Sequence, residues 1–290
     1  MTQLLDRGHE VVGATRTSVK ADDLRRRGAD AVELDLLDRR AVWETVTAAE
    51  PDAIVHEATA LAGMSDFKHF DRSFALTNRL RTEGTDALLA AAADVGVRRF
   101  VAQSYTSWPY AREGGPVKTE EDPLDPAPAA QMRESLAAIR HLEQAVVGYG
   151  GIALRYGGFY GSPGDAQLEL VRKRRFPLVG DGGGIWSFVH LEDAAAATVL
   201  AVERGDPGVY NVVDDEPAPV REWLPELAAL LGAKPPRRIP TWLARLAAGE
   251  SGVVLMTDTR GASNAKAKRE LGWKLRFPSW REGFRAAYGG

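Results

Sequence analysis

The chain has 290 residues, enough for one large or two modest domains with a real core, and a formal net charge of −3. That balance gives no basic field for nucleic acid, and the absence of cysteine excludes disulfides, thiolate metal sites and a cysteine nucleophile. No apolar run is long enough to span a bilayer and no signal-peptide pattern is present, so the expectation is a cytoplasmic protein that acts on a small molecule, without nucleic-acid or membrane partners. His9, His56, His69, His141 and His190 are scattered without metal-ligand spacing, and no metal is expected.

In chain order, Leu4 and Leu5 sit on a short helical turn, Gly8 supplies a left-handed stop, and residues 9–15 read as a buried strand centred on Val11 and Val12. A helix end running into such a strand is the second half of a βαβ unit. The strand and glycine-rich turn of the first half, which in a dinucleotide-binding fold carry the pyrophosphate, are not in the sequence. Either Met1 is an internal methionine of a longer chain, or the protein has given up its cofactor. The first reading is preferred, because the absent strand would lie mid-sheet and leave unpaired backbone on both neighbours.

Residues 20–27 form a charged helix ended by Gly28, and residues 31–34 a second strand followed by Asp35 and Leu36. A helix over 40–48 leads to a third strand, 53–56, with the small residues Ala58, Thr59, Ala60 and Gly63 at its carboxyl end. Leu76, Leu80, Leu88 and Leu89 mark the inner side of a long helix over 73–95, and residues 100–103 form a fourth strand ending in Ser104, Tyr105, Thr106 and Ser107. Four prolines break 111–131, a helix restarts over 133–147, and residues 152–155 form a fifth strand. Helices near 192–204, 220–232 and 262–271 complete the pattern. Alternating strands and helices predict a doubly wound, Rossmann-like parallel α/β sheet, with ligands at the carboxyl ends of the strands. The expected division is an N-terminally incomplete dinucleotide-binding domain over 1–155 and a smaller C-terminal substrate lobe over 156–290.

Four stretches carry a resemblance: RYGGFYGSPG at 155–164, VGDGGGIWSFVHLEDAAAA at 179–197, YNVVDDEP at 210–217 and SNAKAKRELGW at 263–273. Together they resemble the extended short-chain dehydrogenases, the NAD-dependent epimerase/dehydratase family, with Tyr156 where the family has a proline. The resemblance implies an NAD(P)-linked oxidoreductase or epimerase acting on a small metabolite. A non-redox cyclase, isomerase or dehydratase, or a nucleotide-binding protein without turnover, is the alternative, since one fold hosts many chemistries. It also implies cofactor contacts at Arg16, Asp35, Leu36, Ala58, Thr59, Ala60, Asn78, Gln103, Tyr156, Gly157 and Gly158. An arginine at position 16, where an acid would bond a ribose hydroxyl, favours NADP over NAD. The helices over 73–95 and 133–147 occupy positions through which such proteins often form homodimers.

The catalytic positions depart from the family pattern. The family carries Tyr-x-x-x-Lys on a helix, one turn apart, so that the lysine lowers the tyrosine pKa for proton transfer. Aligning Glu143-Gln144 puts Ser135 and Ile139 in those places. Acid–base work would therefore come from the loop after the fourth strand, with Ser104, Tyr105 and Thr106 as candidates, from the 155–160 segment, or from the substrate itself. Arg133 or His141 could supply positive charge, and Tyr110, Arg133, Trp186, Phe188 and His190 are candidates to contact substrate. For His190 a structural bond to backbone is the preferred role, and Trp108 joins Trp186 and Phe188 as a candidate apolar wall.

Overall fold

The computed structural model describes residues 1–61, 66–162 and 166–289, with the backbone alone at 166 and 167. Gly63, Pro163 and Gly164 lie outside the described residues. The chain begins with α1 (Thr2–Leu5), β1 (Val12–Thr15), α2 (Ser18–Arg26), β2 (Asp30–Glu33), α3 (Arg39–Ala49) and β3 (Ala53–His56). A helical rod follows, made of α4 (Phe70–Arg79), a π-helical turn over Leu80–Gly84 and α5 (Thr85–Val95), and it leads to β4 (Arg99–Tyr105). The proline-broken stretch holds β5 (Val117–Lys118) and a short 3₁₀ turn at Ala130–Met132. After it come α6 (Arg133–Gly148), β6 (Ile152–Tyr156), β7 (Gly158–Tyr160) and α7 (Ala166–Arg172). The last third contains β8 (Leu178–Val179), β9 (Ile185–Trp186), β10 (Phe188–His190), α8 (Leu191–Arg204), β11 (Gly208–Val212) and β12 (Ala218–Pro219). It ends with α9 (Val220–Leu230), β13 (Arg238–Ile239), α10 (Thr241–Thr257), β14 (Gly261–Ala262), α11 (Ala265–Leu271) and α12 (Trp280–Tyr288).

The main sheet is parallel, with the order β11-β6-β4-β3, and β1 pairs in parallel with β2 in a separate ribbon. Among the described residues no pairing joins β1 to β3. The expected Rossmann-like α/β architecture is present. The period-2 alternation of strands decides the layers. Phe100, Ala102 and Ala153 face one core with Val42, Val46, Ala91, Leu142 and Val146, so α3, α5 and α6 cover that side. Val101, Ile152, Leu154 and Tyr156 face the opposite core with Ala194, Ala197, Leu200, Leu271 and Trp273. There α8 and α11 supply the cover. A third core joins Tyr160, Phe188, Trp223, Trp280 and Phe284 with α9, α10 and α12.

Helix ends follow local chemistry. Asp38 caps α3 by accepting from the Arg40 and Ala41 amides, and Asp71 reaches across from α4 to accept from the Glu134 and Ser135 amides at the start of α6. The helices α10 and α12 were not expected from the pattern. In α10 the backbone breaks at Gly249, whose φ of 72° suits glycine and where an added Cβ would lie 3.2 Å from the Lys68 Cα. Position 262, expected to start a helix, belongs to β14, and α11 begins at Ala265. β11 returns to pair with β6, so the chain beyond residue 156 contributes to the first layer as well as to the C-terminal core.

Candidate active site

Because β3, β4 and β6 are parallel neighbours, their last residues meet along one edge, with Tyr105 paired to Tyr156 and His56 to Ala102. Glu57 follows β3 and points to the α8 face, opposite to His56. Its Oε1 accepts from the Tyr156 hydroxyl at 3.2 Å, and the Gln103 amide, turned to donate, lies 3.2 Å from Oε2. The Tyr156 hydroxyl also lies 2.6 Å from Thr198 Oγ1. Solvent reaches Glu57 from one side, yet the protein crowded around it pushes the carboxyl up to about 7. Burial, with the neighbouring Glu57 charge, holds the Tyr156 phenol well above its ordinary range.

Beneath this edge lies a fully bonded ion pair. Arg155 Nε and Nη2 donate to the two Glu143 oxygens at 2.7 and 2.6 Å, and Nη1 donates to Tyr110 at 2.9 Å. Ser104 Oγ donates to Glu143 Oε1 at 2.6 Å, and the Tyr110 hydroxyl donates to Asn211 Oδ1 at 2.8 Å. Thr106 completes the network with a long contact of 3.5 Å to the same Asn211 atom. Ser104, Thr106 and Tyr110 are all buried and engaged, so this network ties β4, α6, β6 and β11 together. Burial opposes the Arg155 charge, but the Glu143 pair outweighs it and holds the guanidinium above its usual value. Ser107, at φ 74°, turns the chain away from the edge.

The α6 face that meets the edge carries little proton chemistry. Ser135 Oγ donates to Asp71 Oδ1 at 2.7 Å and accepts from Asn78 Nδ2 at 3.1 Å. Ile139, one turn on, is fully buried in an apolar cluster with Phe70, Phe74, Trp108, Met132, Leu136 and Val254. Tyr105 packs against this cluster, and burial pushes its phenol up to about 12, opposed by the nearby Arg81 guanidinium.

The remaining sequence candidates are dispersed. Arg16 is exposed just after β1 and has no partner among the described residues, and Asp35, exposed after β2, accepts from the Leu37 amide at 3.0 Å. Leu36 packs toward Gly84, and the half-buried Ala58, Thr59 and Ala60 continue from β3, with the Ala60 amide bonded to Thr77 Oγ1 at 3.0 Å. At Gly157 a Cβ would meet the Ser187 carbonyl oxygen at 2.6 Å, so backbone packing alone demands glycine there. The less crowded Gly158 lies against Phe188. Arg133 is exposed at the start of α6. Trp186 and Phe188 are part of the C-terminal aromatic core. Trp186 donates to the Leu255 carbonyl at 2.7 Å, and Phe188 lines an apolar cavity of about 30 Å³ with Phe159, Tyr160, Trp223 and Phe284. His190 caps α8 by accepting from the Glu192 amide at 3.1 Å, the structural bond expected of it. A cleft of about 540 Å³ lined by Leu5, Glu10, Val11, Arg25 and Asp30 opens at the amino ends of β1 and β2, away from this chemistry.

Residues 1–213 match the family described as NAD dependent epimerase/dehydratase. The chain belongs to that family. A 3-diazoavenalumate denitrifying reductase from a Streptomyces species is 43% identical over 95% of both chains. A 2-alkyl-3-oxoalkanoate reductase from Stenotrophomonas maltophilia is 29% identical over 79% of this chain and 71% of its own. In fold, the chain is similar to a UDP-glucose 4-epimerase from Thermotoga maritima, with a TM-score of 0.78, 21% identity and coverage of 99% and 92%.

As a member of the epimerase/dehydratase family, the protein is NAD-dependent in class, and its donor set fits the adenosine end of a dinucleotide. Arg16 offers an unengaged guanidinium, Asp35 is exposed just after β2, and Ala58 to Ala60 present small side chains after β3. Among the described residues no helix of the family's type presents a glycine turn to the pyrophosphate. Two residues at the edge, Glu57 and Arg81, were missed by sequence reasoning. Glu57 had a signal, a carboxylate set directly after an apolar strand among small residues. Arg81 had a weaker one, a charge in helical phase with the inner Leu88 rather than with the exposed Arg79 and Glu83.

Proposed function

We propose that the protein is an NAD(P)H-dependent reductase of a small, carboxylate-bearing molecule whose hydride acceptor takes no proton from α6. The α6 face carries this reading: Ser135 is committed to Asp71, and Ile139 offers carbon alone, at the two positions where the resemblance puts tyrosine and lysine. Carbonyl reduction leaves an alkoxide that has to be protonated, and epimerisation at a carbinol starts with removal of a proton, so both call for such a pair. A cationic acceptor does not. When an arenediazonium carbon accepts a hydride, a C–H bond forms, the C–N electron pair leaves with dinitrogen, and the charges cancel. Both reductase relatives are named for the anion of an acid, and the one at 43% identity is named for a diazo compound and for denitrifying reduction.

Arg16 would hold a 2′-phosphate, which favours NADP, with Asp35 and Leu36 at the adenine, and Ala58, Thr59, Ala60, Gln103, Tyr156, Gly157 and Gly158 along the remainder. When bound, the dinucleotide supplies a hydride. The chain supplies the surroundings. Tyr105, held protonated by a pKa near 12, stays a hydrogen-bond donor across neutral pH, and Phe70, Phe74 and Trp108 keep water from its side of the edge.

The test is turnover of 4-carboxybenzenediazonium with NADPH, measured against the protein-free rate. The expected result is protein-dependent reduction that Ser135→Ala and Ile139→Ala change by less than about threefold. Reduction confined to 3-oxo acids and abolished by Ser135→Ala would overturn the reading.

A further inference from the structure

The helical rod buries a charge that the scaffold does not use. Arg81, in the π-helical turn between α4 and α5, is 4% exposed, and among the described residues neither its Nε nor its Nη1 has a hydrogen-bond partner. π-Helical turns of this kind gather at functional sites. Nor is Arg81 alone. Asn78 Oδ1 and Thr85 Oγ1, three residues before and four after on one helix face, are buried without partners, as is His56 Nδ1 at the end of β3. Folded interiors satisfy nearly all such groups, and of these the Arg81 nitrogens and the Thr85 hydroxyl can donate, which points to an accepting partner from outside the fold.

The charge identifies that partner's chemistry. Burial draws the Arg81 pKa down only to about 10, so the guanidinium is charged at neutral pH. Glu143 is close enough to be felt, but its carboxylate is already taken by Arg155 and Ser104. Tyr105 is the other neighbour, which puts the guanidinium at the carboxyl edge of the sheet. His56 does not add positive charge, because burial pulls its pKa down to about 4 and leaves it neutral. One planar cation, with the Thr85 hydroxyl and an aromatic cluster nearby, matches one planar monoanion; a phosphate dianion would call for a second cation.

We propose that Arg81 is the receptor for the substrate's carboxylate, reaching it from inside the helical rod beside Tyr105, with the Thr85 hydroxyl donating to the same anion. This rests on the reductase reading for the place of the site, and it is tested without cofactor or turnover. Benzoate, cinnamate and octanoate are each titrated calorimetrically against their own amides, on the native protein and on Arg81→Met and Arg81→Lys. At least one carboxylate is expected to bind about tenfold or more tightly than its amide to the native protein. Arg81→Met should erase that preference while melting no lower than the native protein, because it removes a buried charge that has no partner. Arg81→Lys, which keeps the charge but not the planar fork, should retain part of it.

The proposal is overturned if no carboxylate outbinds its amide or if Arg81→Met keeps the preference. It is equally overturned if Arg81→Met melts well below the native protein or fails to fold, since Arg81 would then be part of the scaffold. Turnover is a separate readout: a protein with the predicted binding and no reductase activity would sink the reductase reading and leave this one standing.

Discussion

Arg155 and Arg81 lie in the same interior, at 5% and 4% exposure, and differ in everything else. All three Arg155 guanidinium nitrogens are bonded, two to Glu143 and one to Tyr110, while Arg81 leaves Nε and Nη1 without partners among the described residues. The first arginine locks α6 to β6, and its neighbours Ser104 and Thr106 are held in the same lattice. The second is held in a π-helical turn facing Tyr105, with further unmet groups along its helix face. A buried charge with all its bonds made belongs to the scaffold, and one with bonds left open belongs to a site. That distinction moves Ser104, Thr106 and Tyr110, expected to be chemical or substrate-contacting residues, to the scaffold side, and leaves Tyr105 beside Arg81.

The contrast is most readily broken by stability. Arg155→Met should cost about 3–5 kcal/mol, because it strands the Glu143 carboxylate in the interior. Arg81→Met should cost little or stabilise. Denaturant midpoints at equal slope measure both, and equal losses for the two would erase the distinction.

Tyr105 sharpens the chemical half. For any carbonyl acid the protein reduces, Tyr105→Phe should lower kcat/KM by roughly tenfold to a thousandfold, the scale of a lost proton donor. With an arenediazonium acceptor the same substitution should change it by less than about threefold. A large loss with both acceptors would mean that Tyr105 shapes the site rather than moving a proton.

Arg16, unlike the buried pair, is exposed, and its effect should be smaller. Arg16→Asp should shift the ratio of NADP to NAD dissociation constants by about tenfold toward NAD, since aspartate repels a 2′-phosphate and accepts from a free hydroxyl. An unchanged ratio removes Arg16 from the cofactor site.

Glu57 gives the smallest effect and a signed one. Its folded pKa of about 7 lies above the ordinary 4.5, so between those values the folded protein holds a proton that the unfolded chain has released. Stability from this group is present at low pH and is lost as pH rises toward 7. His56, pulled from 6.5 down to about 4, works in the opposite direction over the lower part of the same window. Glu57→Gln should therefore leave a melting temperature that rises more, or falls less, between pH 5 and 7 than the native one. A profile parallel to the native one would place the Glu57 carboxyl in ordinary solvent.

The layered core was legible because strands and helices advertise their buried faces by period: Phe100, Ala102 and Ala153 against Val101, Ile152 and Leu154 follow from alternation alone. α10 was hidden by Gly249, which breaks the apolar pattern at the point where the backbone kinks. Glu143 set the register that puts Ser135 and Ile139 at the catalytic positions the resemblance implies, and the structure adds that Asp71 occupies Ser135. The state of Arg81 was not legible. Arg79 and Glu83 form an exposed pair, and Arg81, two residues from Arg79, falls on the opposite, buried face, but its unmet bonds depend on residues from other elements. Glu57 was passed over for a related reason: its meaning depends on Tyr156 and Gln103, which the sheet brings to it from far along the chain.

The central claim is that hydride reaches a small, carboxylate-bearing acceptor here without a partner proton from α6. The direct measurement is isotopic: 4-carboxybenzenediazonium is reduced with NADPH deuterated at the transferring position, and in parallel with ordinary NADPH in heavy water. The account predicts benzoate that carries the cofactor's deuterium at the carbon that bore nitrogen and takes none from heavy water, with the rate unaltered by Ser135→Ala. Deuterium arriving from the solvent, or no reduction above the protein-free rate, would contradict it.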